Sequence, residues 1–331
     1  MLWQYILRRV ILAVGVLLAI SVMSFALIQL PPGDYLSTYI GQLRQQGALL
    51  DQQTIDDLRQ QYGLDKPMPM QYLLWMWNML HGDFGRSFEW RRPVFDLVAE
   101  RLPLTIAVSF SSLIFVYLVA VPIGVYSAVR QYSPGDYLAT IFGFIGMATP
   151  SFLLALILMW FMFSRFGVSI GGLFSQQYQD AAWSWGKLLD FLKHLPVPIL
   201  VIGLSGAAGL IRVMRGGMLD ELRKQYVTTA RAKGVSERRL LLKYPLRVAL
   251  NPIVSTIGWQ LPAIVSGETI VSLVLGLPTT GPLLYRSLIS QDSYMAGSIV
   301  MFLSFLTVIG TLLSDILLAI LDPRIRFEGK R

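Results

Sequence analysis

The chain has only two histidines, His81 and His194. They stand far apart, so a metal site would have to recruit distant carboxylates, and both read as structural or interfacial. Cysteine is absent, which removes disulfides, thiolate metal sites and a cysteine nucleophile. No G-x-x-x-x-G-K-[ST] run occurs, so the chain has no phosphate loop of its own. Within the long apolar runs almost every position is uncharged, and Glu268 is the one carboxylate candidate among them. It reads as a helix-end residue hydrogen-bonded to a neighbouring helix, with a solute or proton site as the alternative. Chemistry by this chain is therefore not expected.

What remains first are polar residues set within apolar runs, of the kind that a wet, mildly polar path through a bilayer would need. The polar, glycine-containing faces supply candidates in Ser109, Ser112, Thr149, Ser151, Ser205, Gln260 and Ser266, with Glu268 beside them. Second is "YVTTARAKGVSERRLLLKYPLRVALNP", residues 226–252, a dense basic stretch between apolar runs. From Met218 to Leu242 the residues are good helix formers apart from Gly234, with acids early and bases late, the order that suits a helix dipole. Ala230, Ala232 and Gly234 leave a small surface for a partner backbone, flanked by Arg231 and Lys233. The stretch reads as a docking helix, with a plain solvated connector as the alternative.

Composition dictates the setting of these residues. The 331 residues are 54% hydrophobic and 15% charged, with mean hydropathy +0.55, whereas soluble domains run near a quarter charged. Crossing about 30 Å of hydrocarbon takes about 20 apolar helical residues. Six runs meet that length, near Val10–Leu30, Leu104–Val129, Tyr137–Phe163, Pro196–Met214, Pro252–Leu275 and Tyr294–Leu321. Pro122, Pro150, Pro198 and Pro262 predict kinks inside them. The first run exceeds the roughly 7–15 residues of a signal-peptide core and reads as a retained span.

The net charge of +8 would invite a nucleic-acid reading in a soluble protein, but topology explains it here. Arg8, Arg9, Arg130, ten bases between Arg212 and Arg247, and Arg324, Arg326, Lys330 and Arg331 fall on one side, 17 of 28. That side is read as cytoplasmic, with both termini, and anionic lipid rather than nucleic acid is the expected surface partner. The chain then divides into a cytoplasmic N-terminus and first span (1–30), an extracytoplasmic helical insertion (31–102), a core of five further spans (103–321) and a tail (322–331). Within the insertion, Ile55, Leu58 and Tyr62 mark one helical stripe, and Tyr72, Trp75 and Trp77 suit a helix at headgroup level ended by Gly82.

The 226–252 stretch resembles the cytoplasmic coupling loop, the EAA loop, of bacterial ABC importer permeases in the branch that carries peptides and nickel. Thr229 to Gly234 match that branch's Thr-Ala-Arg-Ala-Lys-Gly, while Thr228 stands where other permeases have an acid. "LRR" at 7–9, "PPGD" at 31–34, "YGLDKP" at 62–67, "HGDFGRS" at 81–87 and "DPRIR" at 322–326 follow the order of its larger-loop permease. The resemblance implies an all-α, six-helix, type I importer permease fold. It assigns coupling to Thr228, Thr229, Ala230, Arg231, Ala232, Lys233 and Gly234 within a loop at 216–250. It also implies a sister permease, two cytoplasmic ATPases carrying ATP and magnesium, and an extracytoplasmic solute-binding protein. Tyr35 after Asp34, and Pro278-Thr279-Thr280-Gly281 in place of Pro-Gly-Leu-Gly, depart from the peptide pattern and admit an oligosaccharide. Outside this family, a stand-alone channel or scaffold with a lipid-binding loop is the other expectation.

Overall fold

The computed structural model describes residues 2–29, 53, 60 and 65–321. The Ile55 to Tyr62 stripe, PPGD and DPRIR lie outside them. The described residues are helical, with one isolated bridge between Arg86 and Pro93 and no strand. Their helices are α1 (Leu2–Gln29), α2 (Met68–Leu80), α3 (Val94–Val129), α4 (Pro134–Ala148), α5 (Ser151–Phe166) and α6 (Trp185–His194). After these come α7 (Pro196–Leu222), α8 (Gln225–Ala232), α9 (Glu237–Lys243), α10 (Pro245–Ser255), α11 (Ile257–Leu275), α12 (Thr280–Ile289) and α13 (Ser293–Leu321).

Four segments are long and apolar enough to cross a membrane: Ile6–Ala26, Val94–Val129, Trp185–Leu222 and Ser293–Ile316. A fifth exists if α4 and α5 together make one span. The run expected as a single span at Tyr137–Phe163 is broken there by 104°. Pro150 explains the break: it cannot donate to the turn before it, and it holds Thr149 in extended backbone at ψ 119°. Pro122, by contrast, is carried inside α3 without interruption. The expected Pro252–Leu275 run is divided at Thr256 between α10 and α11.

Residues 1–10, 104–281 and 307–331 form one compact unit, and α7 is its central helix, packed on by α4, α5, α10 and α11. Close approach is built from glycine. A Cβ on Gly203 would fall 2.6 Å from the Phe115 ring, and one on Gly124 would fall 2.6 Å from Met214 Cβ, so α3 and α7 meet nearly backbone to side chain. Val116, Ala120, Ala207, Leu210, Met214 and Ile253 fill that contact. Phe142, Phe144, Trp160 and Phe163 instead face outward, as lipid or another protein requires.

Residues 11–103 and 282–306 form a second unit. These units are cut differently from the expected division at 31–102. Here the aromatic cluster divides too. Trp75 is buried and Tyr72 half-buried, their rings meeting Phe25 tilted at 5.8 Å and edge-on at 5.5 Å, whereas Trp77 is exposed. The helix-ending role of Gly82 is observed: at φ +82° it lets its own N–H reach Met79 O and the Asp83 N–H reach Asn78 O. Asp292 then clamps the following turn, its Oδ2 accepting from Ser87 Oγ at 2.5 Å, Phe88 N at 2.8 Å and Glu89 N at 3.2 Å. Burial pushes its carboxyl above the ordinary range against these hydrogen bonds.

Candidate functional site

The basic loop is not one helix. The chain leaves α7 at Leu222, breaks at Lys224 in extended backbone, runs through α8, turns at Gly234 and re-enters helix at Glu237. Inside this hairpin Val227 and Ala230 pack on Leu240, with Val235, Leu241 and Tyr244 around them. The expectation that Ala230 offers its small surface to a partner is therefore corrected. It is buried, because α8 and α9 need a small residue where they meet.

Gly234 has a requirement of its own within the turn. Its φ of +76° is a left-handed conformation, and a Cβ there would meet nothing within 4 Å. The Gly234 N–H donates to Arg231 O at 3.0 Å and the Val235 N–H to Ala230 O at 3.3 Å. These are the two bonds that close a helix through a glycine. The glycine is required by the turn, whatever else touches it.

Thr228, Thr229, Arg231, Ala232 and Lys233 form the outward face. The Thr229 hydroxyl is engaged by its own helix, donating to Gln225 O at 2.9 Å. Arg231 reaches across the turn to Glu237, with Nε to Oε1 at 2.5 Å, and holds that carboxyl below its ordinary range. Tyr226 donates to Glu221, and burial together with that bond pushes the phenol up to about 12.

The expected path residues separate into two groups. Ser151, Ser205 and Gln260 line one cavity of about 410 Å³, with Gly206, Gly209 and Arg212 contributed by α7. Gly206 permits this: a Cβ there would fall 2.7 Å from Gln260 Nε2. Ser109 and Glu268 lie elsewhere, buried together, the Ser109 hydroxyl donating to Glu268 Oε2 at 2.9 Å and the Ser272 hydroxyl to Oε1 at 3.2 Å. This is the interhelical reading of Glu268, and these residues do not line the cavity. Ser112 is fully buried, and Thr149 marks the α4–α5 break rather than the cavity wall. The side chain of Ser266 lies outside the described residues. Arg212, Gly206 and Gly209 were missed as lining because Arg212 had been counted with the loop. The three-residue spacing of Gly203, Gly206 and Gly209 was the available signal.

The cavity and the loop are joined by a lock. Arg215, one turn after Arg212, donates from Nε and Nη2 to the two oxygens of buried Asp136, each at 2.8 Å. The Tyr132 N–H adds a third bond at 2.9 Å. The start of α4 is thus fixed to α7 one turn below the cavity by a planar, two-pronged ion pair.

Residues 120–327 match the family described as binding-protein-dependent transport system inner membrane component, and residues 1–109 match its N-terminal family. The chain belongs to that family. The oligopeptide transport system permease protein AppB of Bacillus subtilis is 34% identical to this permease, covering 98% of it and 99% of AppB. The inner membrane ABC transporter permease protein YejB of Escherichia coli O157:H7 is 31% identical over the same shares. A structure described as inward-facing conformations of the MetNI methionine ABC transporter aligns with a TM-score of 0.53 at 17% identity. It covers 69% of the permease and 97% of that chain, and shows the shared helical fold. The permease is thus a membrane component of a transport system rather than an enzyme.

Proposed function

We propose that the chain is one of two permease subunits of an ATP-driven importer, carrying oligopeptides handed over by an extracytoplasmic binding protein. The observation that carries this reading is the full-length likeness to the oligopeptide permease AppB, with 98% of this chain covered. No described feature favours the oligosaccharide alternative over it. In this reading the chain crosses six times, with both termini and the 216–250 loop in the cytoplasm, where the outward face of α8 seats on one of two ATPases. ATP and magnesium belong to those ATPases. Their closure moves the seated loops, and because Arg215 ties α7 to α4 through Asp136, the motion is delivered to the cavity as rigid helix displacement.

Reconstitution tests the proposal. Purification through a tag on this chain is expected to bring down a second permease and an ATPase. The reconstituted complex with its binding protein is expected to accumulate labelled tri- to pentapeptides in proteoliposomes only with ATP. Accumulation of labelled oligosaccharides and not peptides would overturn the solute class, and purification of the chain alone would overturn the importer.

A further inference from the structure

We infer that Arg212 is a carboxylate-recognition residue of the cavity, engaging the free C-terminus of a transported peptide. The inference rests on the peptide reading above and assigns to one side chain what the importer distinguishes.

Two arginines one turn apart on α7 are treated oppositely by the fold. Arg215 is fixed along one edge of its guanidinium by both oxygens of Asp136. Arg212 is exposed, lines the cavity and has no ion pair among the described residues. It lies inside the apolar Trp185–Leu222 segment, 16 residues past Pro196, or about 24 Å along the helix at 1.5 Å per residue. That depth is the loop end of the segment, where an arginine also serves as a topology signal, so what singles out Arg212 is the cavity that it lines without a counter-charge.

The remaining lining defines the ligand. Among the described residues no acid borders the cavity, so none of them neutralises the charge of Arg212 from within it. Gln260 supplies an amide, and Ser151 and Ser205 supply hydroxyls, which suit peptide carbonyl and N–H groups. Ile202, Leu210 and Ile264 make apolar walls for a side chain. Guanidinium matches a carboxylate with two parallel N–H bonds, and the volume lies in the roughly 300–1,000 Å³ range of small-ligand sites. A ligand with one carboxylate, amide groups and apolar substituents satisfies all three sets of groups. A peptide terminus has that composition, whereas a neutral oligosaccharide leaves the cation without a partner.

The test uses the complete importer in proteoliposomes, with two labelled tripeptides of one sequence, ending in a carboxylate or a carboxamide. Any preference of the binding protein is common to wild type and variant and cancels in the comparison. In Arg212→Gln the preference for the acid is expected to fall roughly tenfold or more, the ratio a hydrogen bond to a charged group supports. Amide uptake is expected to change little. In Arg212→Cys, a cationic aminoethyl thiol reagent is expected to restore part of the preference and a neutral methyl reagent none, which keeps the test decisive if Arg212→Gln assembles poorly. An unchanged acid-to-amide ratio in both variants would overturn the inference while leaving the peptide reading intact, and Arg212 would then be a headgroup anchor. An equal loss of both peptides without cationic rescue would also overturn it. Wild type carrying neither tripeptide would overturn the peptide reading and this inference with it.

Discussion

At the scale of single residues, Gly234 shows how one letter can carry two requirements. Its place in the loop is legible in the Thr-Ala-Arg-Ala-Lys-Gly run, but small size and left-handed backbone are the same letter in a sequence. The open space around its Cβ position now separates two effects. Any side chain there incurs the left-handed penalty of about 1–2 kcal/mol, and asparagine incurs less. Among the described residues nothing lies within 4 Å of an added Cβ. Gly234→Asn is therefore expected to retain most stimulation of ATPase activity by loaded binding protein, and Gly234→Ala to lose several-fold. Gly234→Trp is expected to lose about tenfold more than alanine, because overpacking against a docked ATPase adds about 1–3 kcal/mol. Equal losses in Ala and Trp would show that the glycine serves the turn alone. The polar path makes a parallel case, since serine in an apolar run reads the same whether it is wet or buried. Single cysteines introduced into this cysteine-free chain at positions 151 and 205 are expected to react with water-soluble thiol reagents. Those at 109 and 112, which are 1% and 0% exposed, are expected to stay protected. Labelling at 109 and 112 as fast as at 205 would move the path to the Glu268 cluster.

At the scale of elements, apolar length made α1, α3, α7 and α13 legible, because a membrane asks only for about 20 unbroken apolar residues. The first turns of α3, Val94 to Pro103, escaped that ruler. They are packed against protein, with Val94, Leu97 and Val98 buried against Leu283, Met295 and Ile299, and so carry charges on their other side. Pairings between distant segments were invisible for a different reason. Ser87 and Asp292 meet across 205 positions, and no local periodicity encodes such a bond. The HGDFGRS motif was read as a family mark, yet its residues have mechanical parts. Gly82 ends α2, Asp83 accepts from the Gly85 N–H at 2.9 Å, and Ser87 grips Asp292. Asp292→Ala leaves several buried donors without an acceptor, each costing about 1–3 kcal/mol, more than the turn itself can compensate. Trypsin is therefore expected to cut at exposed Arg86 or Arg91 at least several-fold faster in the variant than in the wild type. An unchanged cleavage pattern would mean that the turn is held by its own backbone bonds, such as Val94 N to Gly85 O at 3.0 Å.

At the scale of the whole molecule, the proposed coupling mechanism requires the loop and the solute-entry side to lie on opposite faces of the membrane. Helix lengths cannot establish that, because four or five qualifying spans put the C-terminus on different sides. The deciding quantity is charge. Bases are concentrated at Arg8, Arg9, Arg130, and between Arg212 and Arg247, while residues 31–102 carry nine acids. A translocated loop with ten bases in 36 positions would violate the positive-inside bias at its strongest point. Six crossings reconcile this charge pattern with the helices if α4 with α5 makes one and the α10–α11 region another. Tags inserted after Gln52 and after Asp180 are then expected to react with impermeant reagents in intact spheroplasts, and a tag at Ser236 only after lysis. Five crossings would keep Gln52 outside and the N-terminus inside but move the C-terminus out, so a fourth tag after Arg331 separates five from six. Labelling of Ser236 in intact cells would overturn more than the count, since the face carrying Arg231 and Lys233 could then meet no cytoplasmic ATPase, and the loop would have to be read as a surface for something outside.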